Sequence, residues 1–312
     1  MADALLLVLL RAVRQAGRTP PNRRRFRLLL SVAAAGLVAS CTGLFFHPMR
    51  PLLHTPDELG LAYRDVWFET DDGVRLHGWF LPAAGEAQGT LLFLHGNAEN
   101  VSTHLGIVAW LPSQRINVLL FDYRGYGLSA GEPSLSGLHK DVEAALAAVF
   151  SLDGVDPDRI ALFGQSLGGS IAITTLAASP YRHRVRALIV EGAFSGYRQI
   201  ARDVLAGWWL TWPLQWPLSL AIDNSYAPLE AIATIAPTPV LIIHGEADGI
   251  VPPKHGQALY AAAHEPKALW LVAGAGHIAA LRQPEVRRAL VRYLSDCAFA
   301  AAGRRTCGSR LD

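Results

Sequence analysis

Short apolar runs alternate with longer amphipathic stretches along most of the chain. A strand inside a parallel sheet reads as a continuous apolar run, whereas a helix repeats its apolar residues every three to four positions. The pattern predicts eight strands, near residues 66–68, 76–81, 91–94, 118–121, 160–163, 188–190, 240–243 and 269–272. Helices fill most of the gaps between them. We therefore expect an α/β protein with an eight-stranded, mostly parallel sheet and helices on both faces.

Turn and helix signals support this arrangement. Asp72-Gly73 lies between the first two apolar runs and is typical of a tight hairpin turn, so these strands should form an antiparallel edge. Apolar residues at helical spacing predict one face of a helix within residues 136–150: Leu138, Val142, Leu146 and Val149. Eight strands fit one domain, which we assign to about residues 61–296.

The fifth apolar run is followed at once by Gly164-Gln165-Ser166-Leu167-Gly168. This G-x-S-x-G spacing is typical of a sharp turn between a strand and a helix that carries a nucleophilic serine at its tip. Glycine is needed two residues to either side because the strand and the helix pack too closely there for larger side chains. The pentapeptide by itself is weak support for catalysis, since glycine-rich turns are common.

Two later loops supply the partners that such a serine needs. Asp248 follows the apolar run Val240–Ile243, and His277 follows the run Ala268–Val272. Both loops should open on the sheet edge that carries Ser166, and the chain order serine, acid, histidine is the one this architecture uses. Taken singly, Asp248 could cap a helix and His277 could be a solvated turn residue. All three residues, however, lie in loops that follow predicted strands and open on the same edge of the sheet. This common position favours a catalytic triad of Ser166, Asp248 and His277.

A serine nucleophile also needs backbone donors for the negative oxygen of the tetrahedral intermediate. One donor should be the N–H of Leu167, directly after the serine. The second should come from the loop after the strand Leu91–Leu94, where the Asn97 N–H is our candidate. His95 stands beside a tight glycine turn in the same loop, and we interpret it as a brace for that loop.

Several motifs together resemble those of a known family. They are His95-Gly96-Asn97-Ala98, Asp122-Tyr123-Arg124-Gly125-Tyr126-Gly127-Leu128-Ser129, Gly164-Gln165-Ser166-Leu167-Gly168-Gly169, and His244-Gly245-Glu246-Ala247-Asp248 with Val251-Pro252. From about residue 60 to 296 the chain resembles α/β-hydrolases of the serine-aminopeptidase-like and depalmitoylase-like branch. The resemblance implies this fold and serine hydrolase chemistry. It leaves the substrate open, because members of that family are described as esterases, lipases, thioesterases and peptidases.

An insertion of about residues 195–235 interrupts the alternation of strands and helices, at the position where this fold carries a cap over the active site. It holds four of the eight tryptophans of the chain: Trp208, Trp209, Trp212 and Trp216. They either bury the underside of the cap against the core or line a pocket for an acyl or aromatic group. In both cases the substrate pocket should be apolar, and our candidates for its lining are Trp208, Trp209 and Trp212.

The N-terminus carries a basic segment, Arg23–Arg27, before an apolar one. This order is typical of a signal peptide, and Val38-Ala39-Ser40-Cys41 resembles the lipobox of bacterial lipoproteins, in which the cysteine is acylated. The alternative is an uncleaved anchor, because residues 28–46 hold no charge. Either assignment makes residues 1–40 a signal or anchor and 41–60 a linker. Both place the catalytic domain outside the cytoplasm, in the cell envelope.

Charge and cysteine content argue against a nucleic-acid-binding protein and against a metal or cofactor site. Residues 1–40 contain seven arginines and one aspartate, so their removal leaves 21 basic and 25 acidic residues and no basic face for nucleic acid. The Cys and His spacing matches no metal site, and no cofactor is expected. Cys297 and Cys307 lie in a segment assigned as a flexible tail, 297–312, where an oxidising compartment could join them in a disulfide.

These observations predict a membrane-tethered serine hydrolase that acts on a small acyl ester or thioester. The tryptophans of the insertion are the feature of the sequence that favours an acyl substrate. A serine peptidase is the alternative in the same class, although the sequence shows no distinct acidic pocket to grip a free amine. A different alternative is an envelope lipoprotein in which the fold serves as a non-catalytic binding module. The complete triad argues against it.

Overall fold

The computed structural model describes residues 46–207, 215–220, 222–301, 306–307 and 311. At its centre is an eight-stranded sheet. The strands are, in chain order, β1 (Arg64–Glu69), β2 (Arg75–Leu81), β3 (Gly89–Leu94), β4 (Ile116–Phe121), β5 (Ile160–Gln165), β6 (Ala187–Glu191), β7 (Val240–Gly245) and β8 (Lys267–Val272). All eight strands predicted from the apolar runs are confirmed.

The strands lie in the order β8-β7-β6-β5-β3-β4-β2-β1. β1 and β2 pair antiparallel around Asp72-Gly73, β2 pairs antiparallel with β4, and the other pairs of this sheet are parallel. The carboxyl ends of β3, β5, β6, β7 and β8 therefore meet at one edge. Every residue of β3 to β7 is buried, which is why these strands read as unbroken apolar runs.

Helices cover both faces of the sheet. They are α1 (Val101–Val108), α2 (Leu135–Ser151), α3 (Leu167–Ala178), α4 (Tyr197–Ala206), α5 (Gln215–Leu220), α6 (Pro228–Ala231), α7 (Lys254–Ala262) and α8 (Pro284–Tyr293). α1 and α8 share one core with strand side chains such as Phe93 and Phe163, whereas α2, α3 and α7 contact the opposite face. α2 buries the face predicted from its spacing: Leu138, Val142, Leu146 and Val149.

The ordered domain begins before the predicted boundary. Residues 46–51, which the sequence pattern assigns to a linker, lie against the loop after β3. His47–Pro48 pairs in parallel with Ala98–Glu99, and the Asn100 side-chain amide donates to the Met49 carbonyl oxygen at 3.0 Å. The linker assignment is corrected for this part of the chain. Its peptide groups find hydrogen-bond partners on the domain, and an apolar pattern does not reveal such pairing.

The C-terminal boundary at residue 296 is also corrected. α8 continues into a π-helical turn, Leu294–Ala298, and the chain stays buried through Phe299. Phe299 packs against Gly89, which has no side chain to occupy that space, and Cys297 forms a disulfide with Cys307. Residues 297–299 of the segment assigned as a flexible tail therefore belong to the core. Their partner at the start of β3 is distant in sequence, so a local pattern does not show the contact.

Some sequence assignments fall outside the described residues: Cys41 and the rest of 1–45, Trp208, Trp209 and Trp212. Of the insertion, α4 and α5 are described. Trp216 on α5 is largely exposed, and the Arg202 guanidinium lies 4.2 Å from the centre of its ring. Among the described helices, none is both long and apolar enough to cross a membrane.

Candidate active site

Ser166 is the single residue between β5 and α3. Its backbone angles, φ 53° and ψ −118°, fall outside the regions that L-residues normally occupy. Glycines make this turn possible. A Cβ on Gly164 would lie 2.5 Å from the Gly168 carbonyl oxygen, and a Cβ on Gly168 would collide with the His95 carbonyl oxygen. The strained turn holds the serine hydroxyl at the carboxyl edge of the sheet.

The structure brings Ser166, His277 and Asp248 together, although they come from three different loops. The Ser166 hydroxyl oxygen lies 3.0 Å from His277 Nε2, and His277 Nδ1 lies 2.8 Å from Asp248 Oδ2. Asp248 is buried, whereas the His277 side chain keeps 14% of its surface exposed. Hydroxyl, imidazole and carboxylate thus form one hydrogen-bonded chain, with the charge at its buried end.

The Asp248 carboxylate is held in its ionised form. Its Oδ1 accepts the backbone N–H groups of Ile250 at 2.9 Å and Val251 at 2.8 Å, and its Oδ2 accepts from His277. Burial by itself raises the pKa of Asp248, but these hydrogen bonds and the attraction of His277 outweigh it, so the pKa lies below its ordinary value. His244 Nε2 donates to the Val251 carbonyl oxygen at 2.8 Å and fixes the same loop.

The predicted oxyanion donors come from two segments next to Ser166. Leu167 is the first residue of α3, so its N–H stands at the positive end of the helix dipole. The loop of Asn97 is also close, because a Cβ on Gly96 would lie 3.7 Å from the Ser166 Cβ. Tyr126 holds this loop, since its hydroxyl donates to the Asn97 carbonyl oxygen at 2.7 Å.

His95 is fully buried beneath that loop. Its Nδ1 donates to the Gly96 carbonyl oxygen at 2.8 Å, and its ring stacks on His104 with 5.3 Å between the ring centres. The Tyr123 hydroxyl donates to the His95 carbonyl oxygen at 3.0 Å. His95 therefore holds the loop in place. Sequence reasoning alone misses the roles of Tyr123 and Tyr126, for which the paired tyrosines of one glycine-rich motif are the available signal.

A second hydroxyl, imidazole and carboxylate meet elsewhere in the domain. The Ser195 hydroxyl and N–H both donate to His255 Nδ1, at 2.8 and 3.2 Å, and His255 Nε2 donates to Asp203 Oδ2 at 2.7 Å. Ser195 and His255 are only 4% and 2% exposed, and Ser195 lacks the positive φ of Ser166. This cluster clamps α4 to α7. No sequence motif predicts this cluster of Ser195, His255 and Asp203.

A cavity of about 420 Å³ lies between the loop of Asn97 and the loop of His277. Its lining includes Glu99, His104, Ile278, Arg282 and Arg287. A larger cavity of about 1010 Å³ lies between α2, α3 and the segment around α6, and no triad residue is among those that line it. No triad residue lines the smaller cavity either, but it adjoins the histidine loop through Ile278, the residue after His277.

The arrangement around Ser166 is suited to acyl transfer. A hydroxyl is placed to lose its proton to an imidazole, a buried carboxylate orients that imidazole, and a helix N-terminus supplies donors for an oxyanion. As to metals, the described residues contain no group of three or more His, Cys, Asp or Glu side chains placed to bind an ion.

Known proteins are similar in sequence to this chain over most of its length. Residues 85–230 match the family model described as Serine aminopeptidase, S33. The uncharacterized protein YfhR of Escherichia coli strain K12 is 36% identical over 270 residues, which cover 83% of this chain and 89% of that protein. The alpha/beta hydrolase domain-containing protein WAV2 of Arabidopsis thaliana is 35% identical over 249 residues, 75% of this chain and 79% of that protein.

Solved structures share the fold. The Pyrococcus furiosus esterase Pf2001 superimposes with a TM-score of 0.65 at 24% identity and covers 80% of this chain and 96% of that one. The alpha/beta hydrolase GrgF from Penicillium sp. sh18 superimposes with a TM-score of 0.63 at 22% identity and covers 76% and 99%. At this level of identity the likeness shows the fold alone.

Proposed function

The chain belongs to the α/β-hydrolase family, and on that premise we propose that it is a membrane-tethered serine hydrolase that cleaves carboxylic ester or thioester bonds. The observation that carries the proposal is the hydrogen-bonded chain from the Ser166 hydroxyl through His277 to the ionised Asp248. A serine in that setting becomes a nucleophile near neutral pH because the neighbouring imidazole takes its proton.

In the first half-reaction Ser166 Oγ attacks the carbonyl carbon of the substrate while His277 Nε2 takes the hydroxyl proton. When the tetrahedral intermediate collapses, the bond to the leaving oxygen or sulfur breaks and His277 returns the proton to that atom. Asp248 orients the imidazole and stabilises its positive charge. The N–H groups of Leu167 and Asn97 hold the oxyanion, and loss of one such donor lowers kcat about 100- to 1,000-fold.

In the second half-reaction water attacks the carbonyl carbon of the acyl-enzyme. His277 takes one proton from the water and then passes it to Ser166 Oγ as the acyl–oxygen bond breaks. The carboxylic acid leaves and the serine is restored. The same imidazole thus acts as base and acid in both halves, which is why its orientation toward Ser166 matters at every step.

We take the smaller cavity, which adjoins the histidine loop at Ile278, as the substrate entrance, and its lining favours an ester or thioester over a peptide with a free N-terminus. The ammonium group of such a peptide needs a nearby carboxylate. Among the lining residues, Arg282 and Arg287 outnumber the carboxylate of Glu99, so the local charge repels a cation. A serine peptidase is the second candidate, because the matching family model is described as Serine aminopeptidase, S33.

A substrate panel tests the proposal. We expect p-nitrophenyl acyl esters and acyl thioesters to be hydrolysed with a kcat/KM about 100-fold above that of aminoacyl-p-nitroanilides, because the latter bring an ammonium group to an arginine-lined cavity. Initial rates at equal enzyme concentration give the ratio. Faster cleavage of the nitroanilides would establish the peptidase instead, and an enzyme inactive on the whole panel would support the non-catalytic binding module.

The proposal includes a location, with the domain tethered to a membrane of the cell envelope and lying outside the cytoplasm. Its support is the sequence of residues 23–41, in which arginines precede an apolar run and a cysteine. In the lipoprotein form Cys41 carries the lipid. Radiolabelled palmitate should then be incorporated by the wild type and not by Cys41→Ser. A wild type that incorporates no palmitate would leave the uncleaved anchor, residues 28–46, as the tether, and incorporation that survives the substitution would rule out Cys41 as the acylated residue.

A further inference from the structure

The last residue of β6, Glu191, is a buried carboxylate that the mechanism above does not use. It is 1% exposed and lies at the carboxyl edge of the sheet, beside the strand that leads to the nucleophile. A carboxylate at this depth needs hydrogen-bond partners, since burial removes its water shell. Those partners indicate its role.

Glu191 joins the two segments that carry the nucleophile and the base. Its Oε2 accepts from the Gln165 side-chain amide at 2.6 Å, and its Oε1 accepts the Ala280 backbone N–H at 2.8 Å. Its own carbonyl oxygen accepts the Ser166 N–H at 2.8 Å. Gln165 directly precedes Ser166, and Ala280 closes the loop that begins at His277. A single residue therefore ties the serine turn to the histidine loop.

The residue after Glu191 lies against the imidazole itself. Gly192 has a φ of 62°, in the left-handed region, and a Cβ at this position would lie 3.3 Å from both Cε1 and Nδ1 of His277. The Gly192 N–H donates to the Ile243 carbonyl oxygen at 3.0 Å, which fixes this stretch to β7. The backbone at Gly192 thus forms one wall beside the His277 ring, and the Glu191 carboxylate holds the loop that carries the ring.

The groups around Glu191 favour its carboxylate form. Burial raises the pKa of Glu191 above its ordinary value, and the hydrogen bonds from Gln165 and Ala280 and the attraction of His277 offset only part of this rise. Both side-chain contacts place an N–H donor against a carboxylate oxygen. An ionised acid accepts strongly from both donors at once, whereas the hydroxyl oxygen of a protonated one is a weaker acceptor.

We propose that Glu191 is a positioning residue, which sets the orientation of the His277 imidazole toward Ser166 by tying Ala280 to Gln165. The inference rests on the proposed function, because the orientation matters only where His277 is the base. The proton passes between atoms 3.0 Å apart, and a misplacement of about 1 Å in such a contact lowers a rate about 100-fold. We therefore expect the loss of this contact to appear in kcat.

The test first removes the hydrogen bonds of the Glu191 side chain. It then restores them with the amide and the carboxylate exchanged between positions 165 and 191. In Glu191→Ala, kcat for ester hydrolysis per titrated active site should fall about 100-fold, with KM changed less than about 2-fold. The second variant combines Gln165→Glu with Glu191→Gln. The amide then at position 191 can accept the Ala280 N–H and donate to the carboxylate then at position 165. This exchange should restore kcat to within about 10-fold of the wild type.

Asn117→Ala is the matched control. Asn117 is also buried, and its side chain also bonds several segments, but at the amino end of β4; its partners are Ala83, Thr90 and Gly154. Its removal should lower the midpoint of thermal unfolding, as Glu191→Ala does, and leave kcat per titrated site within about 2-fold of the wild type. An equal loss of kcat in both variants would overturn the proposal and assign Glu191 to general stability.

Two further results would overturn it: a Glu191→Ala enzyme with kcat within about 2-fold of the wild type, or an exchanged pair no faster than Glu191→Ala. Should Glu191→Ala yield too little folded protein, Glu191→Met takes its place. It keeps the size and removes both acceptors, and kcat should again fall about 100-fold; a wild-type kcat there also contradicts the role. The proposed function itself is judged separately, by Ser166→Ala.

Discussion

Replacement of Ser166 by alanine is expected to lower kcat for p-nitrophenyl ester hydrolysis about 10⁵-fold. The variant keeps the turn and the oxyanion donors but lacks the oxygen that forms the acyl-enzyme. Binding and polarisation of the carbonyl group then provide the remaining acceleration. The hydroxyl contacts His277 at the edge of the sheet, so its loss should leave the fold intact, which the midpoint of thermal unfolding checks.

A fluorophosphonate probe gives an independent measurement, since it should label the wild type and not Ser166→Ala. The control is Ser195→Ala, because the Ser195 hydroxyl also lies against an imidazole and a carboxylate. Ser195 is buried and lacks the strained turn, so this control should be labelled as fast as the wild type. Labelling of Ser166→Ala at the wild-type level would refute the nucleophile assignment. Loss of labelling in Ser195→Ala would move the nucleophile to the second cluster.

Much of the fold is predictable from the sequence because its central strands are buried on both faces. Such strands are continuous apolar runs, and the runs give all eight strands of the sheet. The ends of the domain are not predictable in this way. His47–Pro48 is held by peptide hydrogen bonds to the loop after β3, and Phe299 by its contact with Gly89. Both depend on partners that are distant along the chain.

The candidate site, like the fold, has a part that the sequence predicts and a part that it does not. Ser166 lies in a spacing motif, while Asp248 and His277 follow strands whose ends must meet, so topology alone brings the three together. Glu191 also ends a buried strand, and a carboxylate after an apolar run is a usable signal. Its role, however, depends on the Ala280 N–H, which reaches it only through the path of the histidine loop. No local pattern contains that path.

Asp248→Asn is expected to have the second large effect, because it keeps the size of the side chain and removes its charge. The new amide oxygen can still accept the N–H groups of Ile250 and Val251, so the amide nitrogen faces His277 Nδ1. A donor there forces Nδ1 to accept and places the ring hydrogen on Nε2, against the Ser166 hydroxyl. The imidazole can no longer take the serine proton, and kcat should fall about 10⁴-fold at neutral pH.

The same substitution at Asp203 is the control, because Asp203 also accepts from a buried histidine, His255. Asp203→Asn should lower the free energy of unfolding and leave kcat per titrated site within about 10-fold of the wild type. Comparable losses of kcat in the two variants would mean that the charge of Asp248 has no special part in the chemistry.

The pH dependence of folding gives a second measurement on Asp248→Asn. Since the pKa of Asp248 lies below its ordinary value of 3.8, the unfolded state binds more protons than the folded state near that pH. The stabilisation by the carboxylate is therefore present above this value and is lost as the pH falls through the lower folded-state pKa. In urea titrations, the difference in free energy of unfolding between wild type and variant should shrink below about pH 4. A difference that stays constant to about pH 2 would mean that Asp248 is not held ionised by its partners, and the orienting role of the acid would lose its physical basis.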